Sequence, residues 1–216
     1  LTFGARLPFR RSDHAGGLAL FELSVLPAAA AVLFVFLAYG GITTFVPLFA
    51  AAISVNSGLF FLAYAATLFL TRPIAGRLSD RYGETFILVP SLALTILALV
   101  TLAFSNGLWG VILAAVLYGI GFGSAMPVLQ AITLRLARPD RIGVANASFA
   151  TATDLGIGLG AMALGWVAQR TNYQVVFLVS AVSVALGLAT VLLAVRRALA
   201  HSDGTALQHD SLAKVQ

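Results

Sequence analysis

Six long apolar segments dominate this sequence and limit the folds it can adopt. Each approaches or exceeds the roughly 20 apolar residues that an α-helix needs to cross about 30 Å of hydrocarbon. The predicted membrane spans are Leu23–Ala50, Leu59–Ala75, Phe86–Phe104, Leu108–Leu134, Val144–Ala168 and Val175–Val195. Because 60% of the residues are apolar, the chain has more hydrophobic surface than a soluble domain of this length can bury. The sequence therefore predicts an all-α membrane protein with six transmembrane helices.

The basic residues occupy alternate connections between these spans. Of the 13 lysine and arginine residues, all except Arg170 fall on one side of the predicted membrane. They are Arg6, Arg10, Arg11, Arg72, Arg77, Arg81, Arg135, Arg138, Arg141, Arg196, Arg197 and Lys214. Since cytoplasmic connections are enriched in Lys and Arg, both termini are predicted to be cytoplasmic. The net charge of +5 is explained by these basic clusters at the span ends, so we expect no nucleic-acid partner. We expect an integral multi-pass protein of the bacterial inner membrane.

The same pattern divides the chain into three regions. Residues 1–20 are polar and basic, lack the apolar core of a signal peptide, and are predicted to form a cytoplasmic linker. Residues 21–197 hold the six-helix bundle, and residues 198–216 form a polar tail that we expect to be disordered in the cytoplasm. Because the chain opens on Leu1 rather than methionine, we expect it to be a fragment of a longer protein.

Few residues suit catalytic or metal chemistry. The chain has no cysteine, and its histidines, His14, His201 and His209, all lie outside the predicted spans. Ser124 follows a Gly-Phe-Gly sequence, but no span offers a histidine to activate it, which argues against an intramembrane serine protease. We therefore expect no enzyme activity, no metal and no cofactor.

Polar side chains are concentrated in four of the six spans. The third and sixth spans hold no Tyr, Asp, Glu, Asn or Gln, whereas the other four hold Tyr39, Tyr64, Tyr118, Gln130, Asn146 and Asp154. At about 1.5 Å of rise per residue, the tyrosines and Asp154 lie near mid-membrane. We predict a polar pocket at that depth. For each tyrosine taken singly, the alternative is simple packing with a hydrogen bond to a neighbouring carbonyl.

Asp154 is the acidic residue deepest inside a predicted span. A charged carboxylate there costs on the order of 2.5–3.5 kcal/mol, which a water-filled cavity, a cation or protonation can offset. A protonatable carboxyl in a wet pocket suits proton-coupled transport, and the alternative is a structural hydrogen bond to another helix. Arg72 is assigned to the connection with Arg77 and Arg81, so no basic residue is predicted in the middle of a span. An ion-pair partner would then come from another chain or another half.

Glycines and prolines mark places where the helices approach or bend. The fourth and fifth spans carry glycines at alternate positions, namely Gly119, Gly121, Gly123, Gly156, Gly158 and Gly160. The small-xxx-small register of Ala152, Gly156 and Gly160 predicts close contact with another helix. Pro127 in the fourth span, and Gly40, Gly41 and Pro47 in the first, predict kinks or local unwinding.

A charged, glycine-bracketed stretch lies between the second and third spans and is predicted to form a short hinge. It reads Gly76-Arg77-Leu78-Ser79-Asp80-Arg81-Tyr82-Gly83. Glycines let two helix ends approach, Asp80 can accept from an arginine or a helix N-terminus, and Arg77 and Arg81 can bond terminal carbonyls.

This stretch resembles the hinge signature Gly-x-Leu-(Ala/Ser)-Asp-Arg-x-Gly of the major facilitator superfamily. With six spans and cytoplasmic ends, the chain resembles the C-terminal half-bundle of such a transporter. Leu117 to Asn146 resembles the tenth span and its following turn, and the segment from Asp154 resembles the eleventh. The family usually has basic residues after the last hinge glycine, where this chain has Glu84 and Thr85.

The resemblance implies an architecture and a set of roles. The first, second, fourth and fifth spans would face a central cavity, and two halves would rock around a site at the membrane midplane. Asp154 would carry a coupling proton, so the energy source would be a proton gradient. The substrate site would be lined by Tyr39, Thr43, Tyr64, Tyr118, Gln130 and Asn146. The conformational hinge would comprise Gly76, Arg77, Asp80, Arg81 and Gly83.

The expected function is secondary active transport of a small molecule, most like drug/proton antiporters. Export is favoured because an aromatic, weakly polar lining suits amphiphilic compounds. The expected partners are the small-molecule substrate, membrane lipid and an N-terminal six-helix half that this chain lacks. The alternative is a stand-alone six-span protein that homodimerises or acts as a non-transporting membrane partner.

Overall fold

The computed structural model describes residues 26–137 and 141–195 of the chain. It contains α1 (Leu26–Ala52), α2 (Ser57–Tyr82), α3 (Glu84–Ala103), α4 (Leu108–Leu136), α5 (Ile142–Arg170) and α6 (Tyr173–Thr190), which continues as a π-helical turn over Val191–Val195. Each of the six α-helices is long and apolar enough to cross a membrane, which confirms the predicted span count. The predicted linker (1–20) and tail (198–216) lie outside the described residues.

The principal helix contacts form an arc, and weaker contacts of α1 with α2 and α4, and of α4 with α5, cross its inner side. Its order is α5, α1, α6, α3, α4 and α2, because α1 packs mainly on α5 and α6, α4 packs mainly on α2 and α3, and α3 packs on α6. Helices α3 and α6, whose predicted spans hold no Tyr, Asp, Glu, Asn or Gln, therefore form the back of the arc. Helices α2 and α5 stand at its two ends, and they are the least buried of the six.

Glycines bring the helix backbones together at two equivalent interfaces. A Cβ atom added at Gly156 of α5 would lie 2.8 Å from the Leu33 carbonyl oxygen of α1. One added at Gly119 of α4 would lie 2.8 Å from the Tyr64 carbonyl oxygen of α2. Neither helix pair has room for a side chain at these positions. Such close approach of the backbones favours helix association in lipid, where van der Waals packing drives it. The small-residue register predicted for α5 is confirmed.

The predicted hinge is wrong in its extent. Gly76, Arg77, Asp80 and Arg81 lie in the last two turns of α2, and the break between helices is confined to Gly83. Gly83 has φ 90°, a left-handed value that favours glycine, and its N–H donates to the Ser79 carbonyl at 2.9 Å. Charged residues do not stop a helix, and Arg81 in the last turn complements the helix dipole. Gly76 has no atom outside its own helix backbone within 4 Å of an added Cβ, so it does not mediate a close approach among the described residues.

The placement of Arg72 also differs from the sequence prediction. Helix α2 runs to Tyr82 instead of Ala75, so Arg72 lies ten residues, or about 15 Å of helix rise, before its end. A basic residue therefore does occupy the middle part of a span. The sequence interpretation counts Arg72 with the connection that follows, although it lies within the predicted span Leu59–Ala75, whereas the helix continues for two more turns beyond Pro73.

Two sets of contacts define the ends of the bundle. At the arginine-rich end, the Arg135 guanidinium of α4 forms an ion pair with Glu84 of α3 at 2.9 Å. At the opposite end, Phe49 of α1 meets Tyr173 of α6 with ring centroids 6.1 Å apart. Exposed Trp109 and Trp166 lie near this second end, as is typical of side chains at a membrane interface.

The prolines and glycines of α1 and α4 do not interrupt those helices. Helix α1 continues through Pro47, and helix α4 continues through Pro127. The local unwinding predicted at these residues is therefore not seen. Buried serines and threonines in the described helices mostly donate to the carbonyl one turn earlier, and Ser183 of α6 instead donates to the Phe34 carbonyl of α1 at 2.8 Å.

Candidate functional site

Six aromatic rings form a continuous ladder across the inner side of α1, α4 and α2. Its members are Phe36 and Tyr39 of α1, Phe122 and Tyr118 of α4, and Tyr64 and Phe60 of α2. Tyr39 stacks on Phe122 with centroids 4.9 Å apart and planes within 6°. Phe122 stacks on Tyr118 at 5.4 Å, and Tyr118 meets Tyr64 at 5.6 Å. This aromatic ladder joins three of the predicted lining residues into one cluster, in which Tyr39 and Tyr64 are the partly exposed rings.

The hydroxyl groups of the ladder are unequally satisfied. The Tyr39 and Tyr64 hydroxyls interact across α1 and α2. Tyr118 is fully buried, and its hydroxyl has no hydrogen-bond partner among the described residues. Burying an unpaired hydroxyl is unfavourable. The ladder is therefore a mostly apolar wall that carries one unused polar group.

A cavity of about 170 Å³ lies between α2 and α4, on the arginine-rich side of the ladder. It is lined by Arg72, Met126, Pro127 and Gln130. The Arg72 guanidinium is close enough to interact electrostatically with the Tyr64 phenol. Within residues 26–137 and 141–195, no carboxylate forms an ion pair with Arg72. Glu84 of α3 pairs with Arg135 of α4 instead. The cavity thus combines a cation, an amide and an apolar wall.

The remaining predicted site residues lie apart from this cavity. Thr43 donates its hydroxyl to the Tyr39 and Gly40 carbonyls of its own helix, at 3.1 and 3.2 Å. Asn146 is exposed near the start of α5, at the arginine-rich end rather than at mid-depth. Of the predicted lining set, the structure brings Tyr39, Tyr64 and Tyr118 together and places Gln130 in the neighbouring cavity.

Asp154 lies on the exposed face of α5. The buried side of that helix packs on α1 through Ala152 and Gly156. Asp154 is two residues from each, and it therefore points about 200° away around the helix. No ion pair involving Asp154 forms among the described residues. The carboxylate faces away from the helices of this arc, near the middle of a 29-residue span.

Arg72 is the candidate that the sequence interpretation missed. Apolar residues flank it on both sides, with Leu68 to Leu70 before it and Ile74 and Ala75 after it. That flanking was the available signal, because an arginine at a membrane surface is normally followed by a polar connection. Helix continuation to Gly83 was the information needed to place Arg72 at cavity depth.

Comparison with known proteins identifies the family. Residues 26–214 match the family profile described as the Major Facilitator Superfamily. The chain belongs to the Major Facilitator Superfamily. The fold agrees: the chain superposes on peptide transporter POT with a TM-score of 0.71 at 19% identity, covering 92% of this chain and 46% of that one. It also superposes on the human organic anion transporter MFSD10 with a TM-score of 0.63 at 20% identity, covering 77% of this chain and 46% of that one.

Curated relatives are also membrane transporters. The chain is 33% identical over 109 residues to the 3-(3-hydroxy-phenyl)propionate transporter of Escherichia coli, a match that covers 50% of this chain and 27% of that protein. It is 28% identical over 152 residues to an uncharacterized MFS-type transporter of Burkholderia mallei, covering 70% of this chain and 37% of that protein. The chain therefore matches between about a quarter and two fifths of the length of these relatives. It is an integral multi-pass membrane protein with the fold of a transporter half.

Proposed function

We propose that this chain forms the second six-helix half of a secondary transporter that moves a small molecule by alternating access. The observation that carries the proposal is the arc, whose inner side holds the partly exposed Tyr39 and Tyr64 and the Arg72 cavity, while α2 and α5 are the least buried helices. Such an arc leaves a polar cavity unfinished, and a second half of similar size would complete it. The relatives, which are more than twice as long as the matched segment, have room for that half.

We propose a compound with an aromatic or amphiphilic body as the substrate. The partly exposed rings of Tyr39 and Tyr64 offer flat faces at mid-membrane, backed by the buried rings of the ladder, and aromatic compounds pack well against such faces. The named relative from Escherichia coli transports a phenylpropionate, which has the same character. Export from the cytoplasm is the proposed direction, because a weakly polar lining suits amphiphilic compounds that collect in the membrane.

We propose the proton gradient as the energy source and Asp154 as the residue that binds the coupling proton. A carboxylate at the centre of a span costs on the order of 2.5–3.5 kcal/mol when it faces hydrocarbon. Since Asp154 is exposed on α5 and turned away from α1, a second half or a water-filled cavity must cover it in the complete protein. A carboxyl that exchanges between a wet and a dry surrounding gains and loses a proton as the cavity opens and closes.

The test uses the full-length transporter reconstituted in proteoliposomes with an imposed pH gradient. Labelled 3-(3-hydroxyphenyl)propionate and ethidium serve as an anionic and a cationic aromatic probe. Asp154→Asn should abolish gradient-driven accumulation while leaving probe exchange at equal pH intact, because exchange needs no net proton movement. Glu84→Gln is the matched control, since it removes a carboxylate at the arginine-rich end and should retain gradient-driven transport. Undiminished gradient-driven accumulation by Asp154→Asn would remove Asp154 from the mechanism.

A further inference from the structure

We propose that Arg72 and Gln130 form a subsite for the carboxylate of an organic anion, with Met126 and Pro127 receiving the apolar body of the same molecule. This proposal rests on the proposed transport function and adds the chemical class of the substrate. A guanidinium at Arg72, five residues, or about 7.5 Å of helix rise, before the charged last turns of α2 that begin at Arg77, is costly unless it faces a wet cavity or an anion.

The cavity around Arg72 supplies a complete recognition set for a carboxylate. The guanidinium presents a planar fork of N–H donors that matches the two oxygens of a carboxylate. The Gln130 amide is a second donor on the facing helix α4. Among the described residues no aspartate or glutamate forms an ion pair with Arg72, so its hydrogen-bonding capacity for an anion is available.

The cavity size and its register with the ladder also fit. Helices α2 and α4 run in the same direction, and Tyr64 meets Tyr118 with ring centroids 5.6 Å apart. Arg72 and Met126 each lie eight residues further along their helices, or about 12 Å. The volume of about 170 Å³ compares with the roughly 150 Å³ that accommodates a benzene molecule in an engineered cavity. An acid whose carboxylate contacts Arg72 would therefore lie with its ring against Met126 and Pro127, which line the same cavity, and a longer body would extend toward the ladder.

Another source of the negative charge is an acidic side chain of the missing half. In that case Arg72 would be neutralised inside the protein, and binding would be indifferent to the charge of the substrate. The two cases are separated by comparing two probes with the same aromatic body and different charge. 3-Phenylpropionate carries a carboxylate, and 3-phenylpropanamide replaces it with a neutral amide of nearly the same shape.

The experiment measures equilibrium binding of both probes to the purified full-length transporter by titration calorimetry. The wild-type protein should prefer the carboxylate by about tenfold or more, the range expected for a hydrogen bond to a charged group. Arg72→Gln should lose that preference, Arg72→Lys should keep part of it, and Gln130→Leu should reduce it several-fold. Arg170→Gln is the matched control, because Arg170 lies at the opposite end of the bundle over the Trp166 ring at 4.0 Å, and it should keep the full preference.

Three results would overturn the proposal: no preference in the wild-type protein, an undiminished preference in Arg72→Gln, or an equal loss in Arg170→Gln. If Arg72→Gln does not fold, as judged by circular dichroism, Gln130→Leu decides, and an unchanged preference there refutes the subsite. Transport of the neutral amide without any preference for the acid would overturn this subsite and leave the proposed function standing. Acid binding through Arg72 without transport of any probe would overturn the proposed transport function and leave the subsite standing.

Discussion

Substituting a single glycine at the α1–α5 interface tests the packing that holds this half together. A Cβ atom added at Gly160 would lie 2.8 Å from both the Cα and the carbonyl carbon of Leu37 in α1. Carbon atoms normally approach to about 3.5 Å, so Gly160→Ala must separate the two backbones by about 0.7 Å. A gap of that size forfeits a quarter to a half of the attraction of neighbouring contacts.

Gly158→Ala is the matched control on the same helix, because an added Cβ there meets no atom outside its own helix backbone within 4 Å. The gain in helix propensity on replacing glycine, about 1 kcal/mol, is common to both variants and cancels in their comparison. The remaining difference is the cost of overpacking, about 1–3 kcal/mol. We expect Gly160→Ala to be less stable than Gly158→Ala by that amount.

The assay is reversible unfolding of the full-length protein in mixed micelles, with sodium dodecyl sulfate as the denaturant and circular dichroism as the signal. Equal free energies of unfolding for the two variants would show that α1 and α5 are not held at backbone contact. A lower stability for Gly158→Ala would mean that the exposed side of α5 is the tighter interface, and the arc described here would be incorrect.

Two further substitutions probe hydroxyl groups inside the bundle. Tyr118→Phe removes a buried hydroxyl without a partner in the described structure, so the free energy of unfolding should stay the same or rise by about 1 kcal/mol; a loss above that size would show that the hydroxyl is bonded in the complete protein. Ser183→Ala removes a hydrogen bond from α6 to α1 and should cost about 0.6 kcal/mol, whereas Ser180→Ala, whose hydroxyl bonds its own helix, should cost less in the same unfolding assay, and the reverse order would contradict the contact.

The sequence predicts the number of helices well because lipid imposes a simple rule. An apolar segment must be long enough to cross the bilayer and must satisfy its backbone internally, which leaves only helices. The alternating arginines then predict which helix ends lie on the same side of the membrane. The Glu84–Arg135 ion pair, which joins the arginine-rich ends of α3 and α4, agrees with that prediction. These are properties of single segments and of their order, so they can be derived from one sequence.

Helix partners and helix ends were harder to predict, for reasons visible at particular residues. Glycines at alternate positions of α4 serve two neighbours, since an added Cβ at Gly119 would meet α2 and one at Gly121 would meet Ser91 and Thr95 of α3. Their spacing alone does not reveal this. The sequence interpretation counts Arg72 with the basic connection although it falls within the predicted span Leu59–Ala75, and that assignment conceals the cavity cation. Placing it required the position of the glycine that terminates α2.

The single residue between α2 and α3 has a mechanical consequence. One residue spans at most about 3.6 Å, so the tips of these two helices are tethered at Gly83. A force that displaces the arginine-rich tip of α2 must therefore pull α3, and α3 in turn bears on α4 and α6. The short connection at Gly83 thus couples movement of α2, at one end of the arc, to movement of α3 and α6 at its back.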